Sequence, residues 1–205
     1  MITLYTFASP NGQKASILLE ELGLTYKVHK VDIVAGDNRH PDYLAISPIG
    51  KIPAVVEDLP GGRKRRLFGS GAILLHYAER TGRLLPEGVD DRAEAMSWLM
   101  LSVSDLGPTG VNKFRFSVMA PEKIPYAIDH FKSELQRIYA ALEERLAGNE
   151  HLAGSYSIAD IACFPFVAVV AKADGNVLER YPNLKRWYDT VAERPAVKRG
   201  MAVPE

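Results

Sequence analysis

Up to Gly82 the chain alternates short strand-like runs with helical spacing, and beyond it the apolar positions recur only at helical spacing. Ile2 to Thr6 is a β-rich run that ends on a cluster of turn formers, Phe7-Ala8-Ser9-Pro10-Asn11-Gly12. Ile17, Leu18 and Leu22 then mark a helix that Gly23 closes, and Tyr26 to Val31 alternates as a second strand. Two strands joined by a helix make a βαβ unit, with parallel strands and a right-handed crossover. Asp32 to Ile49 is polar and punctuated, which predicts a connector with a short helix around Asp42 to Ile46. Ala54 to Glu57 and Arg66 to Phe68 flank Pro60-Gly61-Gly62, the pattern of an antiparallel hairpin. Ala72 to Ala78 forms a further helix, stopped at Gly82.

Leu84 to Val89, with Pro86 and Gly88, reads as a linker, and nothing after it carries strand patterning. Asp90 to Val103 is expected as a helix with Ala93, Met96, Leu99, Met100 and Val103 on one face. From Glu122 to Leu146 the positions Ile124, Ala127, Ile128, Phe131, Leu135, Ile138, Tyr139, Leu142 and Leu146 keep the 3.6-residue period. Ser157-Ile158-Ala159-Asp160 resembles a capping box, with the shorter Asp in place of the usual Glu, at the head of the nearly all-apolar segment Ile161 to Val170. Pro182 and Pro195 bracket a last helix with Leu184, Trp187, Tyr188 and Val191. The order of elements predicts an α/β domain of thioredoxin-like plan over residues 1–83, a linker over 84–89 and an all-α helical bundle over 90–205.

Composition narrows the partners. Lysine and arginine number 25 and aspartate and glutamate 25, so no global field draws the chain to nucleic acid or to an anionic membrane. No apolar run reaches membrane-spanning length and no signal-peptide pattern follows Met1, so a cytoplasmic location is expected. Cys163 is the single cysteine, which excludes an internal disulfide and a C-x-x-C motif. His29, His40, His76, His130 and His151 show no metal-ligand spacing, and no metal is assigned. The basic run Arg63-Lys64-Arg65-Arg66 reads as a charged edge strand.

Chemistry gathers in two stretches. A proline at the head of a strand keeps the residue before it extended, so Pro53 leaves Ile52 with a backbone N–H and C=O free to pair. Gly69-Ser70-Gly71 places a hydroxyl and unpaired amides at a helix N-terminus, where an anion is favoured. Together they predict a grip for a peptide-like molecule carrying a carboxylate. The loop Ser9-Pro10-Asn11-Gly12 stands where a thioredoxin-like protein would carry Cys-Pro-x-Cys, yet holds no thiol, so any thiol must come with the ligand. Ser9 and Asn11 can each donate to a sulfur there. Lowering a thiol pKa by about two units takes roughly 2.7 kcal/mol, within reach of two hydrogen bonds and a helix dipole. The same two residues also fit a plain turn and helix cap.

Ser47-Pro48-Ile49-Gly50-Lys51-Ile52-Pro53, Ser70-Gly71-Ala72-Ile73 and Ser157-Ile158-Ala159-Asp160, on this order of elements, resemble a cytosolic glutathione transferase over essentially the whole chain. Ser9-Pro10-Asn11-Gly12, Leu106-Gly107-Pro108 and Ile124-Pro125-Tyr126-Ala127-Ile128 resemble the bacterial Nu class, whose members are glutathione-dependent disulfide reductases more than conjugating enzymes. The resemblance implies a homodimer that takes glutathione as co-substrate, without a metal, and acts on a small disulfide or electrophile. It implies Pro53 as the family's cis-proline, Ile52 pairing with the cysteinyl part of glutathione and Lys51 meeting the glycyl carboxylate. Ser70 would hold the γ-glutamyl carboxylate, Asn38 would stand where a glutamine contacts the tripeptide, and Asn11 and Ser9 would face the sulfur. Gly69 occupies the place of an acid that receives the γ-glutamyl ammonium in the family; losing that charge-assisted bond predicts roughly 10- to 150-fold weaker binding. Asp105, facing the partner's cleft in the family plan, is a candidate to supply a carboxylate in trans, and His130 replaces a basic residue near the cleft. A second expectation follows from Gly69: a binding or scaffold protein on the same fold with weakened glutathione affinity.

Overall fold

A computed structural model describes residues 1–173 and 175–204. The chain divides into two compact units, one of Met1–Leu85 together with the chain from Ala192 onward, the other of Pro86–Val191. The division falls inside the stretch 84–89.

The first unit is built on a four-stranded mixed sheet in the order β2-β1-β3-β4. β1 (Ile2–Thr6) pairs parallel with β2 (Tyr26–Lys30), Ile2 facing Tyr26 and Thr6 facing Lys30. β3 (Ala54–Asp58) runs antiparallel to β1, with Tyr5 opposite Ala54, and β4 (Lys64–Phe68) runs antiparallel to β3, with Ala54 opposite Phe68. The crossover helix α1 (Pro10–Leu22) starts on a Ser9 cap and ends on Gly23, whose φ of 67° is the left-handed conformation glycine adopts without strain. A 3₁₀ turn (Asp37–Arg39) and the short helix α2 (Pro41–Leu44) fill the connector, and α3 (Ser70–Thr81) follows β4. Ile2, Leu4, Ile17, Leu18, Leu19, Val55, Ile73 and Leu74 form the buried centre.

The end of the chain departs from the expected 90–205 helical domain. Helix α9 (Pro195–Met201) packs on α1 within the first unit. Gly200 allows the approach: a Cβ there would lie 2.5 Å from the Ile17 Cα, so only a glycine fits. The Ser16 hydroxyl donates to the Gly200 carbonyl at 2.6 Å, and Arg194 and Arg199 pair with Glu21 and Glu20.

The second unit holds α4 (Val89–Met100), α5 (Gly107–Phe114), α6 (Pro125–Ala147), α7 (Ile158–Ala173) and most of α8 (Pro182–Ala192). Two π-helical segments, Leu101–Leu106 and Arg115–Met119, flank α5. The first precedes Pro108, which offers no N–H to the turn behind it. The buried stripe runs through Ala95, Leu99, Ser102 and Leu106, while Ala93 and Met100 are exposed, a different face from the one the sequence suggests. Gly107 and Gly110 lie flat against the Phe166 ring, and the Ser102 hydroxyl donates to the Ala162 carbonyl at 2.6 Å, which draws this helix onto α7.

At the head of α7 the capping box forms as expected and reaches further. Asp160, with no exposed surface, accepts from the Ser157 amide at 2.9 Å, from the Leu152 amide at 3.1 Å and from the Trp187 indole at 2.8 Å. The Ser157 hydroxyl in turn accepts from the Ala159 amide. Burial pushes the Asp160 carboxyl up, against the opposing pull of these donors and of His151. Asp160→Ala strands three buried N–H groups, each costing about 1 to 3 kcal/mol, so urea denaturation is expected to show at least about 3 kcal/mol of lost stability. A loss below about 1 kcal/mol would show that the donors find other partners.

Candidate functional site

The strand register collects the candidate residues of the first unit. Tyr5, Ala54 and Phe68 lie side by side across β1, β3 and β4, so the loop after β1, the loop before β3 and the turn after β4 all open at one end of the sheet. Ser9 ends the first of these loops and Asn11 follows in the first turn of α1, Lys51, Ile52 and Pro53 lie in the second, and Gly69 ends the third with Ser70 opening α3. Asp105 and His130 belong to the second unit.

In the first loop the chain must turn tightly into α1, and Gly12 is what permits it. A Cβ at that position would lie 2.3 Å from the Phe7 carbonyl oxygen and 2.4 Å from the Thr6 hydroxyl. The Ser9 hydroxyl accepts from the Gly12 amide at 3.4 Å, which makes it the helix cap. Capping uses a lone pair of the hydroxyl and leaves its O–H proton for another acceptor, so the two expected roles of Ser9 are compatible. The half-buried Asn11 side chain makes no hydrogen bond among the described residues.

In the second loop the Ile52-Pro53 peptide is cis, and Pro53 is buried. The backbone N–H and C=O of Ile52 have no partner among the described residues, while the neighbouring Pro53 carbonyl accepts from the Gly69 amide at 3.3 Å. The Lys51 side chain is exposed. Asn38, in the 3₁₀ turn, donates its amide to the Gly50 carbonyl at 2.7 Å, and its Oδ1 is buried without a partner. Tyr43 and Ser47, which sequence reasoning did not single out, both donate to the Lys51 carbonyl, at 2.9 and 2.8 Å. Only the turn formers of Ser47-Pro48-Ile49-Gly50 signalled this segment in the sequence, because a hydroxyl aimed at a backbone carbonyl has no periodicity.

At the third turn Gly69 is the N-cap of α3 with no side-chain cap, at φ 84° and ψ 123°, and open space surrounds the place of its absent Cβ. Ser70 is 9% exposed, and its hydroxyl has no hydrogen-bond partner among the described residues. In the second unit Asp105 sits exposed in the first π-helical segment and accepts from the Ser104 hydroxyl. His130 is exposed on α6, stacked on Tyr126 with ring centroids 6.2 Å apart and edge-on to Phe131 at 5.2 Å. Among the described residues no group of three or more His, Cys, Asp or Glu could hold a metal ion.

The family models for the glutathione S-transferase N-terminal domain and C-terminal domain match residues 1–79 and 109–195. The chain belongs to the glutathione S-transferase family. It is 43% identical to the disulfide-bond oxidoreductase YfcG of Escherichia coli over 199 residues, 96% of this chain and 92% of that protein. A glutathione transferase from Pseudomonas putida, solved with one glutathione disulfide bound per subunit, superposes with a TM-score of 0.94 at 34% identity and covers 100% of this chain and 92% of its own. Another from Burkholderia graminis, with two glutathione molecules bound per subunit, gives 0.93 at 36% identity, covering 100% and 88%.

A positive φ of this kind disfavours every residue with a Cβ, at a cost of about 1 to 3 kcal/mol. Gly69→Ala meets no steric obstacle, so its effect reads the backbone alone: urea denaturation is expected to show a loss in that range. Native stability in the variant would mean that the turn relaxes to an ordinary conformation.

Proposed function

We propose that this chain is a glutathione-dependent disulfide reductase, working as a cytoplasmic homodimer and requiring no metal. The observation that carries the reading is the sulfur-facing loop: it presents two hydrogen-bond donors and no thiol, beside an unpaired backbone edge that fits a peptide. The YfcG-like family membership and the glutathione and glutathione disulfide bound in similar structures support the same choice.

On this reading the cysteinyl part of glutathione pairs with the Ile52 N–H and C=O, the Lys51 ammonium meets the glycyl carboxylate, and Ser70 with the first amides of α3 holds the γ-glutamyl carboxylate. Asn11 and the free O–H of Ser9 donate to the glutathione sulfur, which favours thiolate over thiol. The thiolate attacks one sulfur of the substrate disulfide. A glutathionyl–substrate disulfide forms as the original S–S bond breaks, and the other half leaves as a thiolate that takes up a proton. A second glutathione thiolate then attacks the glutathionyl sulfur of the mixed disulfide, releasing glutathione disulfide and the second substrate thiol. Two glutathiones are oxidised and one disulfide is reduced, without a protein cysteine. Cys163, buried on α7 with its thiol directed at the Trp98 carbonyl, takes no part.

Removing one donor to a thiolate costs about 1.5 to 3 kcal/mol, so Asn11→Ala is expected to lower kcat/KM for a small disulfide roughly 10- to 150-fold at neutral pH. Because the loss is in thiolate fraction, activity recovers as pH rises through the raised thiol pKa. A pH-rate profile that drops without moving to the alkaline side would remove Asn11 from the sulfur.

The open position at Gly69 favours the second reading, a glutathione transferase-like binding or scaffold protein. Calorimetry separates the two. Micromolar to low-millimolar glutathione binding with disulfide turnover is expected of the native chain, and Gly69→Glu, which restores a carboxylate beside Ser70, is expected to bind more tightly. No binding and no turnover at physiological glutathione would sink the enzyme reading. Asp105 is the candidate source of a carboxylate in trans, and His130 is a candidate glutathione contact in place of the family's basic residue near the cleft. Asp105→Ala should then weaken glutathione binding further, and unchanged affinity would end that role.

A further inference from the structure

Three side chains of the β2–β3 connector converge on two consecutive carbonyls. Asn38 Nδ2 donates to the Gly50 oxygen at 2.7 Å, and Tyr43 Oη and Ser47 Oγ donate to the Lys51 oxygen at 2.9 and 2.8 Å. A carbonyl oxygen offers two lone pairs, and at Lys51 both are taken by hydroxyls. The turn between them is closed by the Gly50 amide bonding to the Ser47 carbonyl at 2.8 Å, with Gly50 at φ 62° and no room for a Cβ, which would lie 2.5 Å from the Asn38 carbonyl oxygen. Tyr43 is itself anchored: it is buried with Val31 and Ala54, and its ring lies 6.2 Å from that of Tyr5. Burial pushes its hydroxyl up to about 12, so it remains a donor across the neutral range.

The peptide that follows these pinned carbonyls is the unpaired one, Ile52. An edge group that lacks a ladder partner must be held from elsewhere if it is to meet a ligand without first being ordered. We propose that Asn38, Tyr43 and Ser47 are positioning residues that hold the Gly50–Lys51 backbone and so present the Ile52 N–H and C=O to the ligand. This inference rests on the reading that glutathione pairs with Ile52. It gives Asn38 a part in the loop: one N–H of its amide is engaged by the Gly50 carbonyl, so it holds the backbone that carries Lys51 and Ile52.

The test pairs Tyr43→Phe with Ser47→Ala in the full chain. Each single variant leaves one hydroxyl on the Lys51 carbonyl and is expected to raise KM for glutathione less than about threefold; the double variant is expected to raise it about tenfold or more, beyond the product of the singles. The kcat at saturating glutathione stays native, because Asn11 and Ser9 still face the sulfur, and Ser47→Thr, which keeps the hydroxyl, restores KM in the Tyr43→Phe background. In the ligand-free protein, ¹⁵N relaxation is expected to show lower order parameters at the Lys51 and Ile52 amides of the double variant. A double variant with native KM, or one in which kcat falls as far as KM rises, overturns the positioning role. Unchanged Lys51 and Ile52 order parameters overturn it even if the native chain proves not to turn over glutathione, so failure of the enzyme reading and failure of this inference give different results.

Discussion

The antiparallel pairing of β1 with β3 is the constraint on which the site depends. Because Tyr5 faces Ala54 and Ala54 faces Phe68, three loops far apart in sequence open at the same end of one sheet. The register is held by burial: Ile2, Leu4 and Thr6 point into the core from β1, and a slip of one residue would turn that set toward the opposite face. The same slip would move Ile52 away from the loop that ends on Ser9. Core packing and site geometry are therefore one requirement, met by the alternation in a five-residue strand.

Much of this was legible because its signals are local. Gly23 and Gly82 close helices, Pro53 frees the residue before it, and Ser157 and Asp160 announce a cap, each through the backbone chemistry of a few neighbours. The C-terminal return was not legible: Gly200 matters only because Ile17 lies across from it, 184 residues separate Ser16 from the carbonyl it bonds, and α9 by itself carries no sign of its partner. The misplaced face of α4 has a different cause. The expected face was drawn through apolar side chains alone, whereas the buried row Ala95, Leu99, Ser102 and Leu106 includes Ser102, polar in the sequence and buried by bonding the Ala162 carbonyl. Tyr43 and Ser47 escaped notice because their role is to satisfy a main-chain oxygen, which composition and periodicity do not encode.

The thiol-free loop places the reactive atom in the ligand, and this changes what the protein must supply. A protein cysteine is positioned by its own backbone, whereas a ligand sulfur is positioned by everything that grips the rest of the molecule. On the proposed reading, hydrogen bonds to the sulfur from Ser9 and Asn11 would lower the barrier only if the peptide edge at Ile52 and the carboxylate sites hold the tripeptide in register with them. Ser9 illustrates the economy of the arrangement. Its oxygen caps α1, so the hydroxyl proposed to face the sulfur is fixed by the same bond that starts the helix.

Gly69 brings conformation and charge into opposition. At φ 84° the turn from β4 into α3 is one that a glycine makes without strain and any other residue makes at a cost. An acidic side chain there gains a charge-assisted bond to the ligand ammonium of about the same size as that backbone cost. The acid would be strained whether or not ligand is bound, and its gain appears only in the complex. A chain that keeps glycine has the more stable free state and the weaker grip, and the difference shrinks as glutathione concentration rises, because binding contributes as the logarithm of ligand over its dissociation constant. Where glutathione is abundant, saturation is reached despite the weaker affinity, and the lost contact then costs little in rate so long as it was made equally in the ground and transition states. The γ-glutamyl ammonium is remote from the reacting sulfur, so if Gly69 stands beside it as proposed, the missing contact is of this kind and alters how much glutathione the enzyme needs more than how fast it works when full.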